Sequence, residues 1–435
     1  MFQIRNKDVA GRIGEIRTRS GSIRTPALLP VVNPIKQEVE VDVIKSIGFE
    51  SIITNAYILK KRREREALER GVHRLLGFQG PIMTDSGGYQ ILEYGKIDVT
   101  PRDIVEFQEK IGSDIAVILD LPTGADLPRE EAEKRVVETI KSARESINYR
   151  SRSDMLWVYP VQGGVFLDLV SYSSSIFREL DYDIAAIGSP TPMMERYMFP
   201  ALVDVIVTAK SVLPPSTPIH LFGAGHPMIF PLIVALGVDT FDSAAYILYA
   251  RDDRMIFEDG TVRLQDIEEL ACTCPVCTKI TAKELKSMTK YEREKHIAIH
   301  NLYISMREIK RIREAIRGGY LWELVERRAR SHPRLYSALA RLSKYRSFLA
   351  KHAPFLKTRI RGIFLFDEVS LARPEVALHE ERLLENYTKP QHSKVLVLVG
   401  ILEDKPLTSS EKYLKLRNMV TAVFGGNENL VHVAF

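Results

Sequence analysis

The chain has 435 residues, 45% hydrophobic and 27% charged, with a net charge of +5. That length exceeds one ordinary core and predicts two or three domains of a soluble globular protein. No run of about 18 apolar residues occurs, which argues against a membrane span, and Met1-Phe-Gln-Ile-Arg-Asn-Lys-Asp8 contains no apolar signal core.

Short apolar runs recur along the chain with helical stretches between them. They are Ala27–Val32, Ser51–Thr54, Pro81–Met83, Ile115–Leu119, Leu156–Val161, Ile184–Ile187, Ile219–Phe222 and Asp239–Phe241. Most are near-continuously apolar, as parallel strands buried on both faces must be. The intervening segments are long enough for helical crossovers. Eight such units predict an α/β protein with a (β/α)₈ barrel. An open doubly wound sheet would carry a Gly-rich phosphate loop after its first strand, and Asn33-Pro-Ile-Lys-Gln37 is not one.

In a barrel the carboxyl ends of the strands build the active site. Here they carry Asp85 (in Thr84-Asp-Ser-Gly-Gly-Tyr-Gln90), Asp120, Gln162 (before two glycines), Gly188-Ser189, His226 and Asp242. Each has a plainer reading: Asp85 and Asp242 as cap or turn residues, Gln162-Gly-Gly as a tight loop, His226 as a hydrogen-bonded loop histidine. Their joint placement at one mouth favours chemistry. Facing carboxylates take divergent pKa values, which suits acid, base and nucleophile roles.

All three cysteines lie in Cys272-Thr-Cys274-Pro-Val-Cys277, with His300 following. Clustered cysteines speak against disulfides. Three thiolates and one imidazole make a closed tetrahedral zinc shell with no open position for catalysis. His296, one helical turn before His300, competes for the fourth place. Reduced cysteines and the missing signal core point to the cytoplasm.

Basic residues crowd at Lys60–Arg65, Arg307–Arg313 and Arg327–Arg346. Interleaved with Tyr336 and Tyr345, the last run is either a track for a phosphate backbone or a solvated helix face. The pattern changes at about residue 350. We expect a barrel domain over 1–349, with a zinc subdomain at about 268–303, and a small α/β domain over 350–435. The latter would have strands at Arg359–Phe366 and Lys394–Ile401 and helices at Arg373–Tyr387 and Ser409–Val423.

The strand-three and strand-five motifs, His220-Leu-Phe-Gly-Ala-Gly-His-Pro-Met228, Gly237-Val-Asp-Thr-Phe-Asp-Ser243 and the cysteine–histidine pattern occur in a fixed order. Together they resemble the tRNA-guanine transglycosylase family, its archaeal branch in particular. The likeness is clear over residues 1–345 and thinner through Phe355–Tyr387. It implies exchange of a tRNA guanine in the D arm, at position fifteen, for 7-cyano-7-deazaguanine, on the route to archaeosine. It implies Asp242 as nucleophile forming a covalent ribosyl ester and Asp85 as general acid/base. Asp120 and Gln162 match positions that bind the purine edge, the amides near Gly188 and Ser189 match those that bind its carbonyl, and Tyr89 is a stacking candidate. Cys272, Cys274, Cys277 and His300 match the zinc ligands. The resemblance further implies a homodimer and a C-terminal RNA-binding PUA module. The sequence to Phe435 does not supply that module, so tRNA would be held by the barrel and zinc region alone or with a separate PUA-domain chain. The family's strand-six loop reads Gly-Gly where this chain has Gly188-Ser189-Pro190. Two other classes compete: an idle tRNA-binding subunit of a transglycosylase complex, and a ribonucleoside hydrolase.

Overall fold

The structure is a computed structural model that describes residues 2–88, 98–354, 357, 363–398, 411–423, 425 and 431–434. Its chain divides into two compact units, Met1–Ala377 and Leu378–Phe435.

The first unit opens with an antiparallel sheet that the apolar-run pattern does not announce: β1 (Phe2–Asp8), β2 (Gly11–Thr18) and β3 (Gly21–Arg24). Then come the barrel strands β4 (Ala27–Pro30), β5 (Ile52–Asn55), β6 (Ile82–Asp85), β7 (Ile115–Val117), β8 (Leu156–Val161), β9 (Ile184–Ile187), β10 (Ile219–Leu221) and β11 (Thr240–Ser243). They pair in parallel in the order β4-β11-β10-β9-β8-β7-β6-β5. The parallel bridge Val31–Ile53 joins the two ends, so the eight expected strands form a barrel.

Strand parity sorts the core into two layers. Ala27, Leu29, Ile53, Met83, Ile115, Val117, Val158, Ile184 and Ala186 pack together inside the barrel. Their neighbours Leu28, Ile52, Ile82, Ala116, Tyr159, Ala185 and Ile187 belong to the outer core, packed with the helices. Ile16 and Ile23 of the N-terminal sheet join the inner set. That sheet is also tied on by a buried ion pair. Arg12 Nε donates to Asp239 Oδ1 at 2.8 Å, its Nη2 donates to Asp239 Oδ2, and further N–H groups reach the carbonyls of Pro215 and Thr217. Asp239→Ala strands the Arg12 charge in the interior. The expected loss is about 3–5 kcal/mol of stability, read as a fall in the denaturant midpoint.

After β11 the chain forms the hairpin β12 (Arg254–Ile256) and β13 (Thr261–Arg263), then a long helix, Lys290–Gly318. Thr289 caps that helix in a capping box with Glu292, and Gly319 ends it in the left-handed conformation. Asn301 anchors it, accepting from Ile256 N at 2.7 Å and donating to Tyr246 O at 3.0 Å.

Pairing neutralises much of the basic runs. Lys60, Arg63 and Arg65 pair with Glu64, Glu66 and Glu69 along their own helix. Arg307 and Arg311 share Glu258, while Arg313 is buried and donates to Pro26 O. Arg328 forms a two-bond pair with buried Glu308, Arg330 pairs with Glu326 and Asp367, and Arg341 pairs with Asp204. Arg327 and Arg334 have no carboxylate partner among the described residues.

In the second unit, β14 (Val395–Leu398) pairs in parallel with β15 (Val431–Ala434), with the helix Glu411–Val423 between them in sequence. The helix expected at Arg373–Tyr387 runs Pro374–Asn386. Of the strand expected at Arg359–Phe366, residues 359–362 lie outside the described residues and 363–366 are irregular.

Candidate active site

The strand ends open into a cavity of about 740 Å³ lined by Asp85, Asp120, Gln162, Gly188, Ser189 and Asp242. All six predicted residues therefore meet in one place. Asp85 ends β6 two positions after the inward-facing Met83, so it shares that strand's inner face. Asp242 stands beside Phe241, which faces the outer core, and so points inward too.

The carboxylates sit in unequal surroundings. Burial, with the charges of Asp120 and Asp242, pushes Asp85 up to about 7. Asn55 Nδ2 donates to its Oδ2 at 2.9 Å. Asp120 is raised to about 6 by burial, against the opposing hydrogen bond from Gln162. Asp242 is held differently: its Oδ1 accepts from Gly223 N at 3.0 Å and lies 3.1 Å from His220 Nε2. An ionised carboxylate only accepts, so His220 presents Nε2–H to it. His220 Nδ1 then accepts from the Thr240 hydroxyl at 3.0 Å. Two hydrogen-bonding groups thus converge on one oxygen of Asp242.

Asp120 and Gln162 form a second unit. Gln162 Nε2 donates to Asp120 Oδ2 at 2.6 Å. Its Oε1 accepts from Thr123 N, Thr123 Oγ1 and Ser189 Oγ at 3.1, 3.0 and 2.9 Å. The carbonyl end of this amide is therefore fully engaged, and only an N–H remains to offer. Close backbone approach makes the arrangement possible. A Cβ on Gly188 would lie 2.2 Å from Gln162 Nε2, and one on Gly88 2.3 Å from Asp120 Oδ1. Ser189 takes φ +61, a left-handed conformation that disfavours serine. Its hydroxyl contact with Gln162 accompanies the Gly-to-Ser departure in this loop.

His226 keeps its plainer role. Nδ1 accepts from Met228 N, Nε2 contacts Gly260 O at 2.9 Å, and burial lowers its pKa to about 4, which leaves it neutral. Tyr89 lies outside the described residues. Sequence reasoning missed His220, Thr123 and Asn55. The β10–β11 register sets His220 opposite Thr240, and one extended run carries no sign of that pairing.

Away from the cavity, Cys272, Cys274, Cys277 and His300 bring four ligand atoms within 4.8 Å of one another, a group that can hold a metal ion. His300 Nδ1 faces Cys274 Sγ at 3.6 Å and Cys277 Sγ at 3.3 Å. Its Nε2 lies 2.9 Å from Ile256 O, the outer hydrogen bond that orients a metal-bound imidazole. His296 is not in the group; its Nδ1 lies 2.7 Å from Glu292 O.

A parallel eight-stranded barrel whose strand ends converge three carboxylates in one cavity is the architecture of a barrel enzyme. The chain belongs to the tRNA-guanine transglycosylase family of transferases: the family model described as queuine tRNA-ribosyltransferase matches residues 8–334. Curated relatives named tRNA-guanine(15) transglycosylase are similar over most of the chain. The Aeropyrum pernix protein is 49% identical over 378 residues, covering 87% of this chain and 74% of its own length. The Sulfolobus acidocaldarius protein is 44% identical over 414 residues, covering 94% and 82%. The Pyrococcus furiosus protein is 46% identical over 384 residues, covering 88% and 65%. Among the described residues no helix is long and apolar enough to cross a membrane.

Proposed function

We propose that this chain replaces a guanine of tRNA, at position 15 of the D arm, with 7-cyano-7-deazaguanine, as a step toward archaeosine. The observation that carries the chemistry is the different setting of two carboxylates in one cavity: Asp85 is pushed up to about 7, while one oxygen of Asp242 is met by Gly223 N–H and the His220 imidazole.

The exchange is a double displacement at the ribose C1′. Asp242 attacks C1′ as the C1′–N9 bond breaks, and the bonding pair leaves with guanine. Asp85, protonated, supplies the proton that neutralises the departing base. The incoming base gives its N9 proton to Asp85 and attacks C1′, and Asp242 departs as a carboxylate. A covalent ester divides one difficult exchange into two easier steps, and two inversions retain configuration, as in retaining glycosidases.

Base selection falls to Asp120 and Gln162. The Asp120 carboxylate accepts from the ring and amino N–H groups of guanine, a donor pair adenine lacks. The free N–H of Gln162 and the amides near Gly188 and Ser189 face the purine carbonyl. Cys272, Cys274, Cys277 and His300 hold a structural zinc ion, which cross-links the loop to the helix bearing His300; no catalytic step involves it. We further propose that the chain acts as a homodimer.

Labelled guanine exchange into an unmodified archaeal tRNA transcript by the purified chain tests this reading; binding of tRNA without exchange would return the idle-subunit alternative. The pH profile tests the acid. Guanine release needs Asp85 protonated, so its rate falls as pH rises through about 7. Linkage acts in the same window. A raised folded pKa means the native state holds the extra proton, so the stability this group contributes is present at acid pH and is lost as pH rises through about 7. Asp85→Asn removes that loss. It is expected to abolish exchange while raising Tm at pH 8, by on the order of a few degrees, and less at pH 5. A variant with normal exchange, or an unchanged pH profile, sinks the assignment.

A further inference from the structure

Tyr197 and His332 line the same cavity as the carboxylates, yet the exchange chemistry makes no use of them. Tyr197 takes φ +54, which a bulky side chain rarely adopts, and 42% of the residue is exposed. That conformation closes the helix Thr191–Glu195, with Tyr197 N donating to Met194 O and Met198 N to Met193 O, and so sets the ring at a helix end facing the cavity. The ring stacks on the imidazole of His332, with centroids 4.8 Å apart and planes 12° apart. Phe199 braces both edge-on, at 5.6 and 6.4 Å. His332 is fixed in turn: it caps the helix Pro333–Arg341, its Nδ1 accepting from Arg334 N. Arg334, exposed and with no carboxylate partner among the described residues, adds positive charge to the same segment. Two segments far apart in sequence thus build one flat, rigid platform at the rim of the site.

We propose that the Tyr197–His332 pair is a second nucleobase subsite, which stacks the unpaired base of a nucleotide flanking the exchanged one. Aromatic platforms recognise splayed-out RNA bases through their π faces with little regard to sequence. The inference rests on the tRNA-exchange reading. A base stacked here holds the strand on the far side of the target ribose and presents C1′ to the carboxylates.

The test uses the full chain, tRNA transcripts with 2-aminopurine on either side of the target guanine, and the variants Tyr197→Ala, Tyr197→Leu and Tyr197→Phe. Tyr197→Ala and Tyr197→Leu are expected to raise the KM for tRNA on the order of 10- to 100-fold. The KM for the free base and the Tm should hold, and the 2-aminopurine quenching seen with wild type should disappear. Tyr197→Phe, which keeps the ring, should behave as wild type. Unchanged KM and quenching in Tyr197→Leu overturn the subsite. So does a parallel fall of kcat and Tm, which marks the pair as a clasp between two helices. Wild-type protein that neither binds nor exchanges tRNA fails at an earlier step: it removes the proposed function, and the subsite with it.

Discussion

Asp242→Ala is expected to abolish base exchange, with a loss of about 10⁴-fold or more, as removal of a catalytic nucleophile produces. No other described group replaces it. Asp85 is pushed up to about 7 and is the proposed acid, while Asp120 is engaged by Gln162. The truncation also leaves Gly223 N–H and His220 Nε2–H without their acceptor. Each buried donor so stranded costs about 1–3 kcal/mol, so the alanine variant loses some stability as well as activity. Asp242→Asn separates the two effects, because its side-chain carbonyl still accepts from both donors but is a poor nucleophile. Both variants should bind tRNA. Neither should yield the covalent protein–RNA adduct that the proposed mechanism predicts for wild type on a denaturing gel when guanine is withheld. A wild-type rate of exchange by Asp242→Asn would move the nucleophile elsewhere.

Cys274→Ala is expected to lose the proposed zinc ion and unfold the segment around it. Structural zinc sites of this donor type bind with apparent energies of about 10–16 kcal/mol at neutral pH, and that binding energy is folding energy. A single large-to-small core substitution costs about 2–5 kcal/mol. The region at 268–303 carries little regular structure before the long helix beyond the helix Ala282–Ser287 and short turns, so few backbone ladders would hold it without the ion. Metal content should fall from one equivalent to none. Amide exchange should rise across 268–303 while the barrel strands stay protected. His296→Ala is the control: that side chain lies outside the four-donor group and should keep the metal. One equivalent of zinc retained by Cys274→Ala, with unchanged Tm, would falsify the site.

The sequence alone determined the barrel, because parallel strands buried on both faces must be written as apolar runs, and eight of them with helical spacers leave few topologies. It also placed Asp85, Asp120, Gln162, Gly188, Ser189 and Asp242 at one mouth, since strand ends converge in that fold. The metal group was legible because its three cysteines are neighbours in the chain and form a closed donor set with one histidine. The tertiary structure decided what depends on partners remote in sequence. Asp242 meets His220 only through the β10–β11 register, and Gln162 is locked by Thr123 and Ser189 from two other strand ends. The basic run at Arg327–Arg346 records charge, whereas Glu308 and Asp204, which pair with Arg328 and Arg341, come from other helices of the fold. The N-terminal sheet escaped notice because its strands carry no continuous apolar run: β1 and β3 are mostly exposed, and the buried part of β2 intersperses Gly11, Arg12 and Gly14 among its isoleucines. The Tyr197–His332 stack joins residues 135 positions apart, and only folding sets one ring on the other.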